Sequence, residues 1–336
     1  MSEQEFTKPA EIRSRQEKGF AALIGKVLPA NEFYQKRYRS LRFKPGRRVG
    51  LSDLPSLPFV TYADIVRDQS SNPPFGTNLT FPLSKYTRVH HGSGGDLRWM
   101  DTEESWSWWL ECWKTAYEAA GVTNEHHVFV ACAIGPCIGF WTALEAGQRL
   151  GALMIPGGAA SPEEQHEIML RDQANVLVTT PRNARRLAQA AVLGGFDLAS
   201  CALRIILHSA DGEHREDDDD PADAPVWSGK RSDLMLSTEL GAWAYGCGRD
   251  GYLHVNEAEF IVEIVDPRSG EPVPVDDEGT RSGEMVLTNL GRVGSPLIRY
   301  RTGRIVKMSR QSCGCGCRSA RIVAGALEPV PSALAI

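Results

Sequence analysis

Through the middle of the chain, short runs of uninterrupted apolar residues alternate with amphipathic stretches. HVFVAC (127–132), ALMIP (152–156), NVLVTT (175–180) and LRIILH (203–208) are continuously apolar, the pattern of strands buried on both faces. Between and after them, residues 138–150, 162–172 and 182–193 repeat apolar positions at helical spacing. Such alternation predicts a parallel sheet covered by helices. Residues 11–42 also read as helical, with Phe20, Leu23, Ile24, Val27 and Leu28 on one face. From about residue 251 the pattern changes to GYLHV, EFIVEIVD, GEMVLTN and SPLIRYRTG, strands split by Gly, Pro and Asp turns. This stretch predicts an antiparallel β-subdomain. The expected organisation is an α/β region over 1–250, the β-subdomain over 251–325 and a tail over 326–336. In SWSWWLECWK, Trp106, Trp109, Leu110 and Trp113 form a stripe. It reads as a helix face packed on the sheet, with an aromatic ligand pocket as the alternative.

Composition narrows the function classes. The chain has 336 residues, 42% of them apolar and 24% charged, which fits one large or two ordinary globular domains. A net charge of −5 gives no reason to expect nucleic acid or an anionic membrane as partner. There is no apolar run long enough for a membrane span, and the amino-terminal twenty residues are charged throughout, so the cytoplasm is the expected location. The acidic run EDDDD (216–220) reads as a solvated loop. Cysteines stand at 112, 132, 137, 201, 247, 313, 315 and 317. Their clustering after residue 246 suggests a metal, since disulfides are rare in a reducing compartment.

Five segments, in order, carry a family resemblance: LPFVTYADI (57–65), RVHHGSGG (88–95), STELG (237–241), GYLHVNEAEFIVEIVDPRSGEPVP (251–274) and SPLIRYRTGR (295–304). Together they resemble the large amino-terminal domain of an adenylate-forming ligase of the phenylacetate–CoA ligase type. The resemblance implies an α/β fold with parallel subdomains and an antiparallel β-subdomain. It also implies the activation of an aryl or other small carboxylic acid by Mg-ATP to an acyl-adenylate, followed by thioester formation with coenzyme A. A carboxylate is a poor electrophile, and adenylation supplies a good leaving group.

Residue by residue, the resemblance places Arg88, Ser93 and Gly94 at the phosphates, Ala210 and Asp211 beside adenine, and Arg301 near the ribose. Thr238 and Glu239 are placed at the α-phosphate and Mg²⁺. The chain departs from the family pattern in several places. Its glycine-rich loop is about three residues short and carries Asp96. Met235-Leu236 replaces the family Tyr-Gly, so the adenine-stacking tyrosine is lost. The Arg-Thr-Gly-Asp motif reads Arg301-Thr302-Gly303-Arg304 here, and an arginine cannot accept hydrogen bonds from ribose hydroxyls. The family's mobile carboxy-terminal lid, with its lysine, is expected to be absent, and a separately encoded lid domain would rescue the enzyme reading. The expected activity is therefore an impaired ligase. The alternative is a non-catalytic homologue binding a small acid, a nucleotide or a protein partner.

The resemblance further implies a structural zinc site of Cys₃His type at Cys247, His254, Cys313 and Cys315, with Cys317 as an alternative ligand and scattered free thiols as the alternative reading. His90 and His91 offer a positioning histidine before the phosphate loop, and Gly157–Ala160, ending a parallel strand, is a candidate acyl pocket, with a plain loop before the helix at Pro162 as the alternative.

Overall fold

A computed structural model of the chain describes residues 9–41, 49–92, 95, 97–135, 138–195, 201–210, 227–247, 252–323 and 328–330. The amino-terminal amphipathic stretch forms α1 (Pro9–Ala30) and α2 (Glu32–Arg37) rather than one helix. Asn31 causes the break, because its side chain accepts from the Tyr34 N–H and starts a new helix there. Next come α3 (Tyr62–Ser71), opened by a Thr61–Asp64 capping box, and a hairpin of β1 (Tyr86–His91) and β2 (Arg98–Thr102). Helix α4 (Glu103–Ala120) buries its tryptophans, with Trp109 and Trp113 fully enclosed, so the aromatic stripe is a packing face.

The alternating region then delivers β3 (His127–Val130), α5 (Ile138–Leu150), β4 (Leu153–Pro156), α6 (Pro162–Arg171), β5 (Val176–Thr179), α7 (Pro181–Leu193) and β6 (Ile205–Ala210). These strands pair in parallel, as continuous apolar runs require. Alternate residues point to opposite layers. Val128, Val130, Val176, Val178, Ile205 and Leu207 join the core with α4 and α5. Phe129, Leu177 and Ile206 pack instead with Met169 of α6 and Leu187 of α7.

Strand β7 (Lys230–Ser237) is the hinge of the architecture. It is parallel to β6 but antiparallel to β8 (Gly241–Gly246). The sheet continues unbroken through β9 (Tyr252–Val255), β10 (Phe260–Val265), β11 (Thr280–Asn289), β12 (Tyr300–Ser309), β13 (Arg321–Val323) and β14 (Glu328–Pro329). Its order is β10-β11-β12-β13-β9-β8-β7-β6-β5-β3-β4, with β14 added on β12. The antiparallel part thus begins at β8, ahead of residue 251. The expected strand SPLIRYRTG starts only at Tyr300. Residues 295–299 form a loop in which Arg299 takes a positive φ of 53°. Arg299 is held there by Glu263 and by the carbonyls of Pro55 and Leu57, and Val60 bridges to Tyr300.

Candidate active site and metal centre

Where the sheet changes from parallel to antiparallel, the β7–β8 turn and strands β11 and β12 line a small open cleft. Its floor is apolar, with Met235, Leu236, Leu240, Trp243, Met285 and Tyr300, and its polar groups are Ser237, Glu239, Thr302 and Arg304. The period of two along β12 decides which residues reach it: Tyr300, Thr302 and Arg304 line the cleft. Arg301 points to the opposite face. Its guanidinium binds Glu284 and donates to the Pro267 carbonyl at 2.5 Å, beside the Phe59 ring.

Glu239 sits in the tight β7–β8 turn. Burial raises its pKa, against the opposing pull of a Ser237 hydrogen bond and the charges of Arg292 and Arg304. A carboxylate held this way gains from a divalent cation that supplies the missing positive charge. Thr238 is buried beside it.

Two residues behind the turn went unnoticed in the sequence. Arg292, in the β11–β12 loop, is fully buried and forms a fork with fully buried Asp101 of β2, at 2.8 and 2.6 Å. Its remaining amino group donates to the carbonyls of Thr238 (2.6 Å) and Glu239 (3.0 Å). The guanidinium carbon stands 5.4 Å from the ring centres of both Trp99 and Trp109. No periodicity signals such a residue, since its partners lie 191 and 54 positions away.

The glycine-rich segment is the tip of the β1–β2 hairpin. The Gly92 N–H donates to the Leu97 carbonyl at 3.0 Å, and Gly95, at φ +75°, donates to Gly92. Ser93, Gly94 and Asp96 lie outside the described residues. Arg88 of β1 donates to Glu103 at 2.8 Å and covers the Trp106 ring at 4.3 Å. His90 is buried, stacks on Trp106 and meets Trp141 edge-on. Burial pushes its pKa down to about 4, so it is neutral at physiological pH. Ala210 closes β6 in register with Met235 of the cleft, and Asp211 lies outside the described residues. Gly157 and Gly158 serve close packing: a Cβ on Gly158 would stand 2.0 Å from the Cys132 carbonyl oxygen.

A second cluster lies in the antiparallel half. Cys247 follows β8, His254 is on β9, and Cys313 and Cys315 occupy the β12–β13 turn. One ligand atom from each lies within 4.8 Å of all the others. The sulfurs of Cys247 and Cys313 are 3.7 Å apart, and Cys315 Sγ is 3.3 Å from His254 Nε2. Burial lowers the His254 pKa to about 4, leaving the neutral imidazole that metals bind. Backbone N–H groups of Cys315 and Cys317 point at the sulfurs of Cys313 and Cys315. The Cys317 sulfur instead meets the Ser319 hydroxyl at 3.1 Å, which in turn lies 3.5 Å from His254 Nδ1. The donor set, three thiols and one imidazole, fits a soft tetrahedral metal.

No family model matches the chain. Among curated proteins, the phenylacetate–coenzyme A ligase of Thermus thermophilus is 27% identical over 317 residues, covering 92% of this chain and 69% of its own length. The enzyme of the same name from Escherichia coli strain K12 is 27% identical over 297 residues, covering 82% of this chain and 62% of its own length. Among solved structures, an open conformation of 2-hydroxyisobutyryl-CoA ligase in complex with 2-HIB-AMP and CoA matches with a TM-score of 0.84 at 22% identity, over 95% of this chain and 70% of that one. Among the described residues no helix is long and apolar enough to cross a membrane. Along most of its length the chain is therefore similar in sequence to phenylacetate–coenzyme A ligases, and it shares its fold with 2-hydroxyisobutyryl-CoA ligase.

Proposed function

We propose that the cleft at the parallel-to-antiparallel switch binds Mg-ATP and a small carboxylic acid, and that the chain activates the acid toward a coenzyme A thioester. The observation that carries this reading is the half-buried Glu239 carboxylate at the cleft wall, flanked by Ser237 and Thr302 beside apolar and aromatic side chains. Ligands of open α/β sheets bind beyond the carboxyl ends of the parallel strands, where β6 and β7 end here. The relatives' names support the acid class, and the apolar floor of Met235, Trp243 and Tyr300 suits a flat aryl group.

In this reading an oxygen of the acid attacks the α-phosphorus and pyrophosphate leaves. The thiol sulfur of coenzyme A then attacks the acyl carbon and AMP leaves. Magnesium, held by Glu239, would neutralise phosphate charge. The Thr302 hydroxyl already donates to the Met285 carbonyl at 2.7 Å and the Ser237 hydroxyl to Glu239, so these two brace the wall rather than donate to phosphate. Arg304 brings a fixed positive charge to the same wall, in place of an acceptor for ribose. Cys247, His254, Cys313 and Cys315 would hold a structural zinc that staples β8, β9 and the β12–β13 turn.

Arg304 favours a second reading, a non-catalytic binder of an acid or nucleotide, because a donor-only side chain stands where the chemistry wants a ribose acceptor. Calorimetric titration with Mg-ATP, followed by pyrophosphate exchange over a panel of aryl acids, separates the two. Binding with acid-dependent exchange supports the ligase. Binding without exchange supports the second reading. No heat at millimolar Mg-ATP from protein shown to be folded overturns the nucleotide site.

A further inference from the structure

We propose that Arg292 and Asp101 form a positioning pair that locks the Thr238–Glu239 turn of the cleft to β2, so that one buried guanidinium sets where that turn stands. The proposal rests on the nucleotide reading above for its consequence, but its structural content stands on geometry alone. Asp101 belongs to β2, the strand leaving the glycine-rich tip, and pairs across the hairpin with Arg88. Thr238 and Glu239 belong to the β7–β8 turn. These segments share no strand pairing, since the hairpin is a separate two-stranded sheet.

Arg292 spans the gap. Nε and Nη2 take both oxygens of Asp101, and Nη1 takes both turn carbonyls, so four of its five N–H donors are used. A lysine has no planar fork and cannot satisfy these two directions at once. The end of β11 and the loop that carries Arg292 are pinned to β2, to the first turn of α4 and to the β7–β8 turn. Ser295 donates to the Met100 carbonyl at 2.8 Å, the Gly294 N–H donates to Ser105 Oγ at 3.3 Å, and the Asn289 amide donates to the Leu240 carbonyl at 3.5 Å.

A buried ion pair is weak evidence for stability, because an apolar pair of similar volume is often as stable. What an apolar pair cannot do is hold two carbonyls of a turn. A positioning role and a merely structural one therefore separate in the double variant Asp101→Leu/Arg292→Met, with Arg292→Lys as the conservative second variant that keeps a cation opposite Asp101.

The readouts are thermal midpoint, amide hydrogen exchange at Thr238, Glu239 and Leu240, and the Kd for Mg-ATP, all on the full chain. The expected result is a folded double variant with a lowered midpoint, since two turn carbonyls lose their donor, with turn amides exchanging about tenfold or more faster and Mg-ATP bound about tenfold or more weakly. Arg292→Lys should fall between wild type and the double variant in both. Wild-type exchange at the turn in a folded double variant overturns the proposal. If the double variant does not fold, wild-type exchange in Arg292→Lys does the same. If the wild-type chain binds no Mg-ATP, the nucleotide reading fails while the exchange result still decides the positioning role.

Discussion

Gly241 closes the β7–β8 turn with φ at +113°, a region that side-chain-bearing residues avoid. A Cβ placed there would stand 2.8 Å from Trp108 Cη2 and 3.2 Å from Phe260 Cζ. Both rings are buried, and Trp108 is tethered by its indole N–H to Glu259 at 2.7 Å, so neither can swing aside. Gly241→Ala therefore incurs backbone strain of about 1–3 kcal/mol and overpacking of about 1–3 kcal/mol. For 336 residues the unfolding entropy is about 0.7 kcal/mol per degree. A total of about 2–6 kcal/mol thus predicts a fall in melting temperature of roughly 3–9 °C. The control is Gly25→Ala, in the exposed middle of α1, where a Cβ would meet nothing within 4 Å. There alanine should stabilise by up to about 1 kcal/mol. Scanning calorimetry on both variants gives opposite signs if the reasoning holds. A Gly241→Ala midpoint within a degree of wild type would refute it.

Glu239→Gln should uncouple stability from function. Burial raises the Glu239 pKa, so its ionised form opposes folding once pH exceeds the ordinary carboxylate range; the variant should melt higher than wild type at pH 7, by a margin that shrinks as pH falls toward 4.5, while Mg-dependent ATP binding is lost. A lower melting point for the variant at pH 7 would count against it. His90 has the complementary signature. Its pKa is depressed from 6.5 to about 4 by burial, so the stability it contributes is present above pH 6.5 and lost as pH falls toward 4, by at most about 3 kcal/mol; His90→Phe should flatten that stretch of a stability–pH curve, and an unchanged slope would sink the assignment. For the metal centre, elemental analysis should find about one zinc per chain, reduced severalfold in Cys313→Ser, and a strong chelator should lower the melting temperature of wild type more than that of the variant. Metal-free wild type, with no response to chelator, would remove the site.

The central parallel strands were legible because burial on both faces favours Val, Leu and Phe, as in Val128–Val130 and Val176–Val178, whereas β4, read the same way, is an edge strand with Leu153 exposed. That Cys247, His254, Cys313 and Cys315 would gather was legible from the clustered cysteines and the family resemblance. The choice of Cys315 over Cys317 depends on the turn, which sends the Cys317 sulfur to Ser319. The facing of Arg301 lay within reach of strand alternation, since a cleft lined by Thr302 and Arg304 must exclude it. The helix break at Asn31 was a missed capping signal next to Pro29. Arg292 and Asp101 were not legible at all. A pair 191 residues apart leaves no local trace, and a charged residue in a Gly-rich loop reads as exposed until its partners are seen.

The strand order has a consequence for how the chain comes into being. Strand β13, at residues 321–323, lies between β12 and β9. Until residue 323 has emerged from the ribosome, β9 and β12 each present an unpaired edge, and the ligand cluster exists only as separate halves, 247/254 and 313/315. The parallel half has no such wait, because β3 to β6 precede residue 211 and pair among themselves. Synthesis thus delivers an α/β body first and leaves the antiparallel half to close by a central strand arriving late. Open β edges are where chains stick to one another. Ribosome-stalled chains ending before residue 321 should therefore need chaperones that chains carried past residue 323 do not.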